Sequence, residues 1–269
     1  MSGGVRMAVV PALIAATAGG AWAAGESGPP PIQDNSFLVE EAYNQEAHVV
    51  QHIGTWTHIR PGGEDVVSFT QEWPFLSQHH QLSYTLLYLP SNGAANRPGG
   101  WGDFALNYRY QLLGVEGGRL ALAPRVSLLF PTGDAPRGLG SGSVGGQFNL
   151  PLSLELSERF VSHTNLGATY VGRAGETGAT IAYNAGQSLI WLAAPGFNPL
   201  VELAWFRVEP TEGGAGETEE GLLVSPGFRW AHNLSNGLQI VPGIAVPIGV
   251  GAQKGDSGVL LYLSFEHGY

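Results

Sequence analysis

Eight histidines and a Ser-His pair are the residues of this sequence that invite chemistry, and their spacing withholds it. His48, His52 and His58 would share one face of a regular strand. Their steps of four and six residues span roughly 13 and 20 Å of extended chain, too far to hold one ion. His79 and His80 are adjacent, point to opposite sides of a strand, and fall where a turn is expected. No metal site is predicted. Ser162-His163 has the residue types of a nucleophile and its base, but neighbours in a strand face opposite ways and cannot share a hydrogen bond. Thr164 fails for the same reason, and only a partner on another strand stays open. No Gly-x-Ser-x-Gly elbow stands out. The run Gly140-Ser141-Gly142-Ser143 lacks the following helix that phosphate binding needs. Neither a catalytic residue nor a cofactor is predicted, and the chain reads as a non-enzyme.

Five charges are more informative. Glu72, Arg109, Arg125, Glu202 and Arg229 each sit inside a segment where apolar and polar residues alternate, and each lies on the polar face. An Arg at the midplane of a lipid-facing surface costs roughly 2–4 kcal/mol, so these groups belong inside a barrel. There they can pair across the lumen as a filling network, or line a path for solutes. The two roles are compatible.

The alternating segments are long. In residues 103–113, Phe104, Leu106, Tyr108, Tyr110 and Leu112 oppose Asp103, Asn107, Arg109 and Gln111. In residues 119–130, Leu120, Leu122, Val126, Leu128 and Phe130 oppose Arg119, Arg125 and Ser127. Each is roughly twice an ordinary soluble strand and matches the length of a tilted strand crossing a bilayer. The pattern recurs, giving about twelve strands near 48–59, 65–75, 81–89, 103–113, 119–130, 143–154, 160–171, 179–193, 199–209, 221–231, 238–249 and 258–269. The first and the eighth alternate poorly and receive no assigned faces. Long connections (90–102, 131–142, 210–220, 249–257) alternate with short ones (114–118, 155–159, 194–198, 232–237). Bacterial barrels show this asymmetry between external loops and periplasmic turns. The short first hairpin, 60–64, departs from it. A soluble sandwich or lipocalin-like barrel competes. Strand length, loop asymmetry and the terminal aromatic Tyr269 weigh against it, as do Trp73, Phe75, Trp205 and Trp230 near strand ends, where interfacial girdles belong.

Composition agrees. The sequence has 40 Gly, 18 Pro and no Cys among 269 residues, which removes disulfides, thiol chemistry and a lipid-modified N-terminus. Its 43% hydrophobic content argues against disorder. Residues 1–23 read as a secretory signal, with Arg6, an apolar run from Met7 to Ala18 and Ala21-Trp22-Ala23 for cleavage. Without Arg6 the chain keeps 11 basic against 22 acidic residues, a net charge of −11 that disfavours nucleic acid. Residues 24–47 are expected to be a periplasmic segment in which 35–46 could form a short helix, although no capping box marks it. Residues 48–269 form the barrel.

Several stretches resemble a bacterial outer-membrane transporter-like family, the meta-pathway phenol-degradation proteins. They are Asp34-Asn35-Ser36-Phe37-Leu38-Val39-Glu40-Glu41-Ala42-Tyr43-Asn44-Gln45-Glu46, then Thr70-Gln71-Glu72-Trp73-Pro74, Ala105 to Leu112, and Pro131-Thr132-Gly133-Asp134 with Gly138 to Gly142. The resemblance implies an outer-membrane β-barrel and a link to uptake of aromatic compounds. The expectation is therefore an all-β, about twelve-stranded antiparallel transmembrane barrel of the bacterial outer membrane. It would pass small, aromatic or hydrophobic solutes. The alternative is a non-conducting structural or surface-interaction barrel. Outer-membrane lipids, an unidentified small-molecule solute and, through the C-terminal strand, the barrel-assembly machinery are the expected partners.

Overall fold

A computed structural model describes residues 35–92, 97–115, 118–173, 178–211, 217–235 and 238–268. The expected signal, 1–23, and residues 24–34 lie outside them. Twelve antiparallel strands follow one another around the barrel. They are β1 (Val49–Arg60), β2 (Glu64–Phe75), β3 (Ser77–Leu89), β4 (Gly100–Trp101 continued by Phe104–Tyr110), β5 (Leu120–Leu122 continued by Arg125–Phe130) and β6 (Gly145–Ser157). The circuit continues with β7 (Phe160–Val171), β8 (Thr180–Trp191), β9 (Phe197–Pro210), β10 (Glu219–Trp230), β11 (Gln239–Ala245 continued by Ile248–Val250) and β12 (Ser257–Gly268). β1 pairs with β12 from Val49↔Gly268 to Arg60↔Ser257, so the sheet closes without an edge. Closure matters because hydrocarbon offers no partner for an unpaired backbone group.

The expected alternation places the side chains. Leu106, Val126, Leu128, Phe148, Leu166, Val201, Leu203, Leu261 and Leu263 are exposed on the outside. Asn107, Ser127, Gln147, Asn149, Asn165, Glu202 and Ser264 are buried inside. That inversion of a soluble protein suits a wall standing in lipid. Phe75, Tyr110, Phe160, Trp191, Phe197 and Trp230 are exposed around the mouth where β1 begins and β12 ends, the near mouth. Short turns join strands there, and the longer loops gather at the far mouth.

Three sequence expectations are corrected. Residues 35–46 form no helix. Residues 35–45, expected as a periplasmic segment, are almost wholly buried and bond to inward side chains of the wall, so they lie within the barrel. β3 starts at Ser77, so His79 and His80 belong to a strand rather than to a turn. The poor alternation of the first and eighth strands also has a cause. Their lumen faces carry Ile53, Ile59 and Ile190, which join a buried apolar cluster, so both faces of these strands are partly apolar.

At the far mouth the loop after β5 folds back onto β4. Asp103 Oδ1 accepts from the Gly133 amide at 3.0 Å, and Oδ2 from the Ser141 amide at 2.7 Å. A Cβ at Gly133 would stand 2.3 Å from the Leu139 carbonyl oxygen, so this close approach requires glycine.

Candidate functional site: the occupied lumen

Residues 35–45 enter at the near mouth, reach the middle of the barrel around Leu38–Glu40 and return to the near mouth before β1. Asn35 lies with Gln51, Gln239 and Glu266 beside a small cavity, while Gln45 Nε2 donates to Gln51 Oε1 at 2.8 Å. The segment is extended and bent backbone, and a helix's own i to i+4 bonding is not there to satisfy its amides. Wall side chains accept from six of them, those of Phe37, Leu38, Val39, Ala42, Asn44 and Gln45.

Glu202 of β9 makes the densest of these contacts. Its Oε1 accepts from three consecutive amides, those of Phe37 at 3.1 Å, Leu38 at 2.9 Å and Val39 at 3.0 Å. Successive N–H groups converging on one anion form a backbone nest, and the carboxylate here is covalently part of the wall. On the descending arm, the Ala42 amide donates to Ser153 Oγ at 2.8 Å and the Asn44 amide to Gln111 Oε1 at 2.9 Å. The Gln45 amide donates to Gln81 Oε1 at 2.7 Å. Gln81 in turn donates to Glu72 Oε2 at 2.9 Å, which brings Glu72 into the same network.

Glu40 supplies the charge. Arg125 Nε lies 2.8 Å from its Oε1 and 3.0 Å from its Oε2, and Arg109 NH1 lies 3.4 Å from Oε1. Asn165 Nδ2 approaches Oε2 at 3.5 Å. Arg109 and Arg125 are direct cross-strand partners in β4 and β5, two like charges that would repel without an anion between them. Arg109 is held by other groups of the same loop, and Arg125 by the wall. Arg109 Nε donates to Asn44 Oδ1 at 2.9 Å, and its remaining groups meet the carbonyls of Glu41 and Tyr43. Arg125 donates to Asn107 Oδ1 at 2.9 Å, to Ser127 Oγ and to Gln147 Oε1 at 2.9 Å. Desolvating such charges costs several kcal/mol per ion, which pairing and full hydrogen bonding must offset.

All five sequence-predicted charges are buried, and they divide into separate places. Arg109 and Arg125 meet at Glu40, Glu72 stands behind Gln81, and Glu202 holds the amides of 37–39. Arg229 lies with its guanidinium carbon 5.8 Å from the Tyr262 ring centre, across the barrel from the other two arginines. They form no single ring. Ser162-His163 behaves as strand geometry requires. His163 turns inward and meets Ser153 of β6 instead, with Nδ1 2.7 Å from Oγ. Neither residue is exposed, and the hydroxyl already accepts the Ala42 amide, so the pair clasps the loop.

Sequence reasoning missed Glu40, Asn44, Gln81 and Ser153. One signal was present: antiparallel register around the 110–119 connection sets Arg109 opposite Arg125, so an anion between them could have been sought.

Part of the wall is apolar. Phe37 and Leu38 join Ile53, Ile59, Val66, Ile190, Leu200, Ala204, Phe206, Leu223, Leu260 and Tyr262 in one buried cluster. The lumen therefore has a polar side, drawn mainly from β2 to β7, and an apolar side, drawn mainly from β8 to β12 and β1.

A closed twelve-stranded sheet with an apolar belt outside defines an outer-membrane β-barrel. The chain is similar to the crystal structure of an outer-membrane channel from Pseudomonas putida F1, with a TM-score of 0.62 at 14% identity, covering 85% of this chain and 98% of that one. Similarity extends to the NanC porin, with a TM-score of 0.57 at 5% identity over 81% of this chain and 100% of that one. The KdgM porin gives 0.51 at 6% identity, over 81% and 98%. No family model and no curated protein matches the chain. At these identities the likeness concerns the fold.

Proposed function

We propose that the protein is an outer-membrane channel for small solutes whose path is closed, in the state described, by its own N-terminal loop. One observation carries the reading: the interior is filled by a separate stretch of chain held through hydrogen bonds, rather than by the barrel's side chains alone. A barrel that served only as a rigid body could fill its lumen with apolar side chains at less polar cost, as small barrels do. Twelve strands give an interior wider than the eight-stranded case, with room for a loop or for a solute. The names of its structural neighbours, an outer-membrane channel and two porins, support the same class. Apolar residues above the loop, among them Ile59, Val66, Phe206 and Leu223, favour solutes with an apolar body, aromatic ones included.

Planar-bilayer recording tests this. Wild type should conduct rarely. Glu40→Gln combined with Glu202→Gln loosens the loop at both charged anchors and should raise the open probability at least tenfold. A folded double variant that stays silent would favour the non-conducting, structural reading instead.

A further inference from the structure

We propose that the Arg109–Arg125 pair is a carboxylate-binding site of the lumen. Glu40 is its tethered occupant, and a small solute bearing a carboxylate on an apolar body displaces the loop by competing for that site. The inference rests on the channel reading above and adds the solute class and the trigger.

Three observations carry it. First, the donors belong to the wall: both guanidinium groups and Asn165 come from the barrel, and Asn107, Ser127 and Gln147 fix Arg125 before any ligand arrives, while the loop's Asn44 and carbonyls hold Arg109. A guanidinium presents its N–H groups in a rigid fork that suits a carboxylate. Second, among the described residues Glu40 is the carboxylate in contact with the pair, and Glu72 stands farther off. Glu72 binds Gln81, and Glu202 binds the amides of residues 37–39. Removing Glu40 thus leaves two adjacent, buried cations facing each other across β4 and β5. Third, the loop itself has the chemistry of the solute. Phe37 and Leu38 lie in the apolar cluster, Val39 lies against Gly186, and Glu40 turns to the arginines on the opposite side. A carboxylate on a compact apolar body would meet the same two surfaces at once.

The loop is a tethered competitor, so a free solute must overcome its local concentration. For short flexible connections that concentration is of the order of millimolar, and the remaining anchors raise it further. Displacement is therefore expected at roughly ten times that level or above. A lumen tuned this way opens to abundant solute and stays shut otherwise.

Benzoate and benzamide are matched probes, being nearly isosteric and differing in charge. A lock is available because the Val39 Cβ lies 3.6 Å from the position a Cβ would take on Gly186. That falls within the range of about 3.5–4.5 Å that disulfides adopt. The sequence contains no other Cys. In planar bilayers at fixed ionic strength, benzoate should raise the open probability of the full-length protein at least fivefold over benzamide. Oxidised Val39→Cys/Gly186→Cys should ignore benzoate and regain the response on reduction. Equal responses to the two probes would overturn the proposal, as would a benzoate response that survives the lock. If benzoate does nothing while the folded Glu40→Gln/Glu202→Gln variant conducts, the carboxylate site falls and the channel stands. If neither conducts, both fall together. Heat-modified gel mobility verifies that each variant is a closed barrel.

Discussion

The two sides of the lumen obey different rules. Between β2 and β7 the wall faces inward with Thr70, Glu72, Gln81, Ser83, Asn107, Arg109, Arg125, Gln147 and Asn149, and it grips the loop through directed hydrogen bonds. Between β8 and β1 it faces inward largely with Ile190, Leu200, Ala204, Phe206, Leu223, Leu260, Tyr262 and Ile53, and it grips through packing. Glu202 and Arg229 are the charged exceptions on the packed side, and Glu202 Oε1 holds three backbone amides. The contrast separates two kinds of hold. A polar wall fixes position and orientation, and leaves a costly orphan when one partner is lost. An apolar wall tolerates sliding and loses stability gradually.

The largest effect should come from breaking the polar side at its charge. Arg125→Ala leaves Glu40 with Arg109 at the longer distance, and removing one partner of a buried pair costs about 3–5 kcal/mol. Denaturant titration of the barrel in detergent would measure it. A loss under about 1 kcal/mol would mean that Glu40 reaches water, and that the loop is not resident. Truncation on the apolar side should cost somewhat less. Leu223→Ala removes a buried side chain from the cluster, an effect of about 2–4 kcal/mol by the same titration. Arg125→Ala should in addition abolish the benzoate response.

A third comparison runs through the wall rather than across it. Leu106→Arg places a charge in the lipid-facing band, at roughly 2–4 kcal/mol. For a water-filled barrel Asn107→Arg would be nearly neutral. Here Asn107 bonds Arg125 and Ser83 and is buried, so a further cation at that place should cost about as much, 1–3 kcal/mol or more. A clear gap between the two variants would point to an open lumen. The smallest effect belongs to the outer face, where Gln187 donates to Ser162 and accepts from Thr164. Gln187→Leu trades those bonds for contact with lipid, and should stay within about 1 kcal/mol of wild type in the same assay.

The contrast also explains what could be read without coordinates. Where the lumen side is polar, one residue in two announces its face, and the outward sets of β4, β5 and β6 follow from sequence alone. Even the interruptions at Pro124 and in β11 at Val246–Pro247 leave the parity of the strands unchanged. Where the lumen side is apolar the code loses its contrast, so β1 and β8 gave no faces. The loop was illegible for another reason. The wall groups that accept its amides lie 36 to 165 residues away in sequence, as with Gln45–Gln81 and Phe37–Glu202, and no period marks a segment that borrows its hydrogen bonds from elsewhere. Residues 35–46, expected as a short helix, carry apolar and acidic residues side by side in Phe37-Leu38-Val39-Glu40. Inside the barrel they separate onto opposite walls.

Both described ends of the loop, Asn35 and Gln45, lie toward the near mouth beside Gln51, and this bears on how the molecule is built. A strand threaded from mouth to mouth would have to be in place before β12 zips onto β1, or never enter. A loop that goes in and comes out on one side obeys no such order. The cylinder can close first and take up its filling afterwards, so assembly divides into two events with separate clocks. A fluorescent label on the 35–45 segment should then report a later phase than the gel-mobility shift that marks closure, and the oxidised lock should preserve only the product of the second.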